Sequence, residues 1–181
     1  MLKEILNLYR AYGGISAIVV SPYLWIAVVF SAAVKNLGNA FLWKDFAIGT
    51  IPSLAGFTIA AFAIFLAVLS DGQRSALLKI RSGNFSPLVK LSSSIIHALI
   101  VQVLTLILAG ATSAIDGRKV VEVFCDDPDM VVFTETIRTS FLPAFGTFLI
   151  FYSWLLLISV AISIFQFFIL LQVKKTSPSK P

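Results

Sequence analysis

The sequence has few of the side chains from which redox and metal centres are built. Its 181 residues include one cysteine, Cys125, and one histidine, His97. A single thiol cannot form an intramolecular disulfide or a CxxC pair, and one cysteine with one histidine cannot make a zinc cage. We therefore expect no cofactor, no resident metal and no thiol oxidoreductase activity.

Charge is also scarce. Charged residues make up 13% of the chain, compared with about a quarter in an ordinary soluble domain. Hydrophobic residues make up 58%, and the mean hydropathy is +0.94. The net charge of +5 is small and spread along the chain, which indicates no direct contact with nucleic acid. So much apolar surface predicts a protein that faces lipid.

Four apolar stretches contain no Asp, Glu, Lys or Arg, and they cover about 15–34, 46–69, 95–112 and 141–171. About 20 helical residues cross a hydrocarbon core of about 30 Å. The predicted fold is therefore an all-α integral membrane protein, a four-transmembrane-helix bundle. The last stretch is longer than the core, so it should tilt or extend beyond one membrane face. Ser21 followed by Pro22 could start a new helix inside the first span.

The basic residues are distributed unevenly between the two sides of these spans. With a cytoplasmic N-terminus, the inner side carries Lys3, Arg10, Arg74, Lys79, Arg81, Lys90, Lys174, Lys175 and Lys180. The positive-inside rule then predicts cytoplasmic termini in a bacterial inner membrane. The expected domains are an N-terminal segment at 1–14, a transmembrane domain at 15–171 and a basic tail at 172–181. Within that domain, the cytoplasmic loop is 70–94 and the extracytoplasmic loop is 113–140.

Residues 1–14 form an amphipathic pattern. One helical face carries Leu2, Ile5, Leu6, Tyr9 and Tyr12, and the other carries Lys3, Glu4, Asn7 and Arg10. Such a segment could lie on the inner leaflet, or it could extend the first span as a continuous helix. Aromatic rings near the span ends, Tyr23, Trp25, Phe41 and Trp43, are expected to anchor the protein at the headgroups.

The cytoplasmic loop carries four basic residues, Arg74, Lys79, Arg81 and Lys90. They could contact a cytoplasmic protein partner or anionic lipid headgroups. They could also serve only to set the topology. The sequence leaves these alternatives open.

The extracytoplasmic loop is rich in β-branched and aromatic residues. KVVEVF at 119–124 and MVVFTET at 130–136 predict a small β-hairpin. Its turn would contain Cys125, Asp126, Asp127 and Asp129. The three carboxylates could bind a cation, although Asp and Pro are also ordinary turn residues. Cys125 could form a disulfide between two copies or stay an idle thiol.

The second span carries a stripe of small residues, Gly49, Ser53, Gly56, Ala60, Ala63 and Ala67. Their spacing alternates between four and three residues, which places them along one side of a helix. Small residues let two helices approach closely in lipid. We call this set the small-residue stripe. It predicts a helix interface, either within the chain or with another copy.

Polar residues follow one side of the fourth span, namely Tyr152, Ser159, Ser163 and Gln166, and the third span contributes His97 and Gln102. Such groups should avoid lipid. They could form interhelical hydrogen bonds or line a pore.

No enzyme motif is present, since the spans hold no carboxylate and the chain has a single histidine. Two classes of function remain. One is a homo-oligomeric membrane sensor or scaffold, and the other is a homo-oligomeric ion channel or membrane-depolarising pore.

In length, four spans, inward termini and basic inner face, the chain resembles the small four-span membrane subunit of Kiwa anti-phage defence systems. The resemblance covers the overall layout and no single motif, so it assigns no residue a role. It implies a homo-oligomer that monitors the envelope during phage attack. It also implies a cytoplasmic partner that binds the loop containing Arg74 and Lys90.

Overall fold

Helices account for 95% of the residues that the structure describes. The structure is a computed structural model, and it describes residues 2–36, 42–79, 85–114, 130, 132–133 and 136–176. None of these residues belongs to a strand. The predicted all-α class is confirmed.

The helices have the following bounds in chain order: α1 Leu2–Tyr12, α2 Gly14–Val20, α3 Pro22–Asn36, α4 Trp43–Val68, α5 Asp71–Lys79 and α6 Pro87–Ala114, then a π-helical turn at Ile137–Phe141, and α7 Leu142–Thr176. The helix that contains the third predicted span begins at Pro87, and the helix that contains the fourth ends at Thr176.

Three helical segments are long and apolar enough to cross a membrane, namely α4, α6 and Thr139–Ile169, with mean hydropathies of 2.2, 2.1 and 2.4. A fourth crossing is possible if α2 and α3 are counted together, because this bent pair passes the same test with a 48° angle between its halves. The long apolar runs in the sequence therefore correspond to helices of membrane-spanning length.

The first span is broken at Ser21, and local contacts satisfy the break. Ser21 has an extended backbone (φ −61°, ψ 125°), and Pro22 opens α3 at a position where its missing N–H costs little. The Nε1–H group of Trp25 donates to the Val19 carbonyl at 2.8 Å. That bond satisfies an acceptor that the end of α2 leaves without an intrahelical partner.

Gly13 separates α1 from α2, and a second glycine, Gly14, begins α2. Gly13 has φ 119° and Gly14 has φ 82°, values that L-residues with a Cβ rarely adopt. The chain turns there, and α1 packs against α6. The segment is therefore not a straight extension of the first span.

The α6 helix runs antiparallel to α4, whereas α4 and α7 are neighbours that run parallel. Lys44 Nζ donates to the Thr112 carbonyl at 3.0 Å, so the start of α4 lies beside the end of α6. The Phe65 and Phe167 rings meet at 5.0 Å, so the late parts of α4 and α7 are also neighbours. We call the two ends of the bundle the Lys44 end and the Arg74 end. Most of the buried apolar side chains lie between α3, α4, α6 and α7.

The predicted hairpin is not supported. Met130, Val132, Phe133 and Thr136, all in the second proposed strand, are helical. Thr136 Oγ1 donates to the Val132 carbonyl at 2.9 Å, a bond between residues one helical turn apart. An isolated two-stranded hairpin is only marginally stable, whereas a helix satisfies its own backbone, so β-propensity does not decide here. The first proposed strand, 119–124, lies outside the described residues.

Candidate functional site

The small-residue stripe lies on the outside of the bundle. All six of its residues are exposed. The buried residues of α4 lie on the opposite side of the helix: Trp43, Ala47, Ile51, Leu54, Thr58 and Phe65. A Cβ atom added to Gly49 or Gly56 would meet nothing within 4 Å. The stripe therefore has no partner among the described residues of its own chain.

Bulky apolar side chains border the stripe on both sides. The 3.6-residue turn of the helix places Phe46, Phe57 and Ile64 along one edge and Ile48 and Ile59 along the other. All five are exposed, and Phe57 is the most exposed at 67%. The stripe thus forms the floor of a shallow apolar groove along α4. The small side chains on its floor would let a second helix pack closely against α4.

Polar side chains form three pairs inside the bundle. His97 Nε2 and Tyr152 Oη lie 3.2 Å apart, and Gln102 Nε2 donates to Thr58 Oγ1 at 3.3 Å. The hydroxyls of Thr105 and Ser153 are 3.5 Å apart. All of these side chains are buried. The pairs tie α6 to α7 twice and to α4 once, and they place polar groups where lipid cannot reach them.

The polar stripe predicted along the fourth span falls in three environments. Tyr152 is buried, Ser159 and Ser163 are half-buried, and Gln166 is exposed. The Ser163 hydroxyl donates to the Ser159 carbonyl at 2.8 Å. The stripe therefore leaves the interior as α7 approaches the Arg74 end, and it does not line a single continuous surface.

Sequence reasoning missed Thr58 and Ser153. Thr58 is the hydrogen-bond partner of Gln102, which had been singled out. Ser153 is the partner of Thr105, which is also on α6. The sequence places Thr58 on the side of α4 opposite the small-residue stripe, but it does not say which of these two sides faces the bundle. No comparable periodicity marks Ser153.

Trp43 is not an interfacial anchor. Its side chain is 2% exposed and packs in a cluster with Ala47, Ile51 and Ile150. The indole lies directly on the backbone of Gly146, where a Cβ atom would overlap it. Trp25, in contrast, is 55% exposed, as expected of a residue that faces lipid or headgroups.

A short helix closes the Arg74 end. Ser70 and Gln73 cap α5 reciprocally, because the Gln73 N–H donates to Ser70 Oγ at 3.3 Å and the Ser70 N–H donates to Gln73 Oε1 at 3.0 Å. Leu77 is buried against the bundle, and the Arg74 guanidinium donates to the Leu66 carbonyl at 3.1 Å. The predicted contact residues Arg74, Lys79 and Lys90 are all exposed near this end, while Arg81 lies outside the described residues.

The single histidine lies where three helices meet. Besides its contact with Tyr152 of α7, the His97 ring is 4.7 Å from the Tyr12 ring and 5.8 Å from the Tyr9 ring, both on α1. Its Nδ1 atom is buried and has no hydrogen-bond partner among the described residues. Burial, with the phenols of Tyr9 and Tyr23, raises the pKa of Tyr12, so that hydroxyl keeps its proton at neutral pH.

Within the described part of the chain, no group of three or more His, Cys, Asp or Glu side chains is placed to hold a metal ion. The turn that contains Cys125, Asp126, Asp127 and Asp129 lies outside that part.

Comparison with protein-family models, with curated proteins and with solved structures found no match to this chain. What the protein does therefore has to be inferred from its own residues.

Proposed function

We propose that this chain is the membrane-embedded subunit of a homo-oligomeric sensor or scaffold that assembles through α4. The exposed small-residue stripe carries the proposal. Lipid tails are as apolar as side chains, so helices in a membrane associate through close packing rather than through a hydrophobic gain. A row of glycine, serine and alanine facing lipid would waste that packing, whereas the same row facing a second copy allows two backbones to approach.

The charges support a cytoplasmic location for the Arg74 end. Arg74, Lys79 and Lys90 are exposed there, whereas Lys35, Lys44 and the acid Asp45 flank the spans at the Lys44 end. Under the positive-inside rule, the Arg74 end faces the cytoplasm of a bacterial cell and both termini lie on that side. Four crossings, with α2 and α3 counted as one bent span, agree with this arrangement.

A cytoplasmic protein is the partner that this end fits. The capping of α5 and the burial of Leu77 hold the helix against the bundle, so Arg74 and Lys79 are presented on a fixed support rather than on a free loop. The layout resemblance to the Kiwa membrane subunit extends the proposal to envelope events during phage attack. The buried polar pairs give no open site for catalysis, so we propose a relay rather than an enzyme.

Replacing two residues of the small-residue stripe with leucine tests whether copies assemble through it. The double variant Gly56→Leu/Ala60→Leu fills the groove on α4 without touching the buried side of the helix. We expect the parent protein to purify from its native membrane in mild detergent as an oligomer. The variant should associate at least about tenfold more weakly, a loss of about 1.4 kcal/mol. Measuring the mass of each purified protein in detergent shows whether the oligomer is retained.

Ala161→Leu is the matched control, because Ala161 is an exposed alanine on α7, away from the stripe. It makes the same Ala→Leu change as the second substitution of the double variant, and it should leave the oligomer intact. A double variant whose oligomer has the same mass as the parent's would refute an interface between copies on α4. Identification of the proteins that purify with the parent tests the partner separately, and a stoichiometric cytoplasmic protein is the expected result.

A homo-oligomeric pore is the second candidate, and the exposed side chain of Gln166 favours it. The buried polar pairs are closed by hydrogen bonds, so a pore would run between copies rather than through one bundle. In reconstituted bilayers, such a pore would conduct ions, and Gln166→Leu would lower the conductance by removing a polar lining group. A parent protein that conducts at no applied voltage would eliminate this candidate.

A further inference from the structure

We propose that α1 is a detachable strap on the bundle, that His97 is the catch that holds it, and that protonation of the His97 imidazole releases it. The strap is Leu2–Tyr12, and its seat is the surface formed by His97 on α6 and Tyr152 on α7. The strap needs no assembly with other copies, so it stands or fails independently of the proposed oligomer.

The seat is built from rings. Tyr12 and Tyr9 of the strap pack on the imidazole, and Tyr152 approaches it from α7 with its hydroxyl 3.2 Å from Nε2. Ala11 of the strap is 5% exposed, so this part of α1 is seated rather than merely adjacent. The polar side of the strap, which carries Lys3 and Arg10, remains exposed.

The hinge is the pair of glycines that follows the strap. Gly13 and Gly14 both have positive φ, so the chain between α1 and α2 uses backbone conformations that only glycine adopts at little cost. No other helix of the bundle has to move if the backbone rotates at these two positions. The strap can therefore leave its seat as a unit.

The His97 imidazole is polar, and its hydrogen-bonding groups are only partly satisfied. One imidazole nitrogen faces Tyr152, and the other, Nδ1, is buried with no hydrogen-bond partner in the described part of the chain. A neutral ring leaves one group unpaired in this position. A second proton would make both nitrogens donors and would add a charge, while the seat supplies no further acceptor. Release of the strap would let water hydrate that charge.

Among the described residues, no acid faces the ring to compensate. The groups that face it are phenols: Tyr9 and Tyr12 from α1 and Tyr152 from α7, with Tyr23 of α3 next to Tyr12. Lys44 and Asp45 of α4 lie at the opposite end of the bundle. The described charged side chains near this end are exposed: Lys3, Glu4 and Arg10 on α1, Asp71, Arg74 and Lys79 on α5, and Lys90 on α6. The tyrosine faces attract a cation, but that attraction is weaker than the cost of burying a charge.

The released strap has a second place to go. Its exposed cations and its apolar face make an amphipathic helix, which binds an anionic membrane surface. The α1 helix can therefore bind either the bundle or the lipid surface, and one proton can shift the equilibrium between these two positions.

The test measures a distance between two spin labels on the full-length protein in vesicles of phosphatidylcholine and phosphatidylglycerol. The labels replace the exposed residues Asn7 on α1 and Ser75 on α5, in a Cys125→Ser background. We expect one distance at about pH 7.5 and a second, released population at about pH 5, on either side of the ordinary imidazole value. One titrating group can change the ratio of the two populations by at most about tenfold per pH unit.

Two variants separate the catch from general effects of acid. His97→Gln keeps a neutral polar side chain that gains no proton, so its strap should stay seated at both pH values. Tyr12→Ala removes the closer of the two ring contacts with His97, so its strap should be released already at the higher pH. A parent distance that is independent of pH, the same acid response in His97→Gln, or a seated strap in Tyr12→Ala would each overturn the proposal.

Discussion

Replacing Gly146 with alanine is expected to destabilise the bundle strongly. A Cβ atom at this position would lie 2.6 Å from Cζ3 of Trp43 and closer still to Cε3 and Cδ2 of the same ring. The indole cannot swing aside easily, because Trp43 is 2% exposed and is packed by Ala47 and Ile150. Overpacking of this kind costs about 1–3 kcal/mol, and we expect the upper part of that range.

Unfolding in mixed micelles of increasing detergent strength measures this effect. Gly72→Ala is the control, because Gly72 is exposed outside the small-residue stripe and its new methyl group meets nothing within 4 Å. The control should unfold within about 0.5 kcal/mol of the parent, as surface substitutions usually do. Equal stability of Gly146→Ala and the parent would mean that Trp43 is not seated on α7.

Truncation of Phe65 is expected to have the second large effect. Phe65 is 2% exposed, and its ring lies 5.0 Å from Phe167 and 5.9 Å from Phe168. Phe65→Ala leaves a cavity between α4 and α7 and removes these ring contacts. A soluble core loses about 3–5 kcal/mol from such a change. We expect about 2–4 kcal/mol here, because in a bilayer the lost term is packing and not transfer from water.

Phe57→Ala provides the matched comparison on the same helix. Phe57 is 67% exposed, so its truncation removes the same number of atoms from a ring that lies mostly outside the bundle. Its effect on the unfolding of the single bundle should be close to zero. Similar losses for the two variants would show that the buried face of α4 has been assigned to the wrong side.

The helices and their membrane-spanning length follow from the sequence because long apolar runs without charge have few alternatives. A backbone in lipid must satisfy its own hydrogen bonds, and a helix does so without a partner. The break between α2 and α3 was also foreseeable, since Ser21 and Pro22 are a cap and a first-turn residue. These features depend on neighbours in sequence, and so the sequence contains them.

Features that depend on distant neighbours were not predictable. The period of the small-residue stripe places it on one side of α4 but does not say which side faces the bundle. The contacts of Tyr9 and Tyr12 with His97 join residues that are far apart in the chain, and no pattern links them. The Trp43 contact with Gly146 is of the same kind. At residues 130–136, β-branched side chains suggested a strand, but the described residues of this segment are helical.

Oxidative cross-linking in native membranes tests the self-association through α4 most directly. Gly56→Cys and Ile59→Cys, each in a Cys125→Ser background, place one thiol on the floor of the groove and one on its bordering edge. Assembly through the stripe predicts a disulfide-linked dimer that forms fastest with Gly56→Cys and is abolished when Ala60→Leu is added. Equal or slower cross-linking of Gly56→Cys relative to Ile59→Cys would contradict a seam between copies at this face.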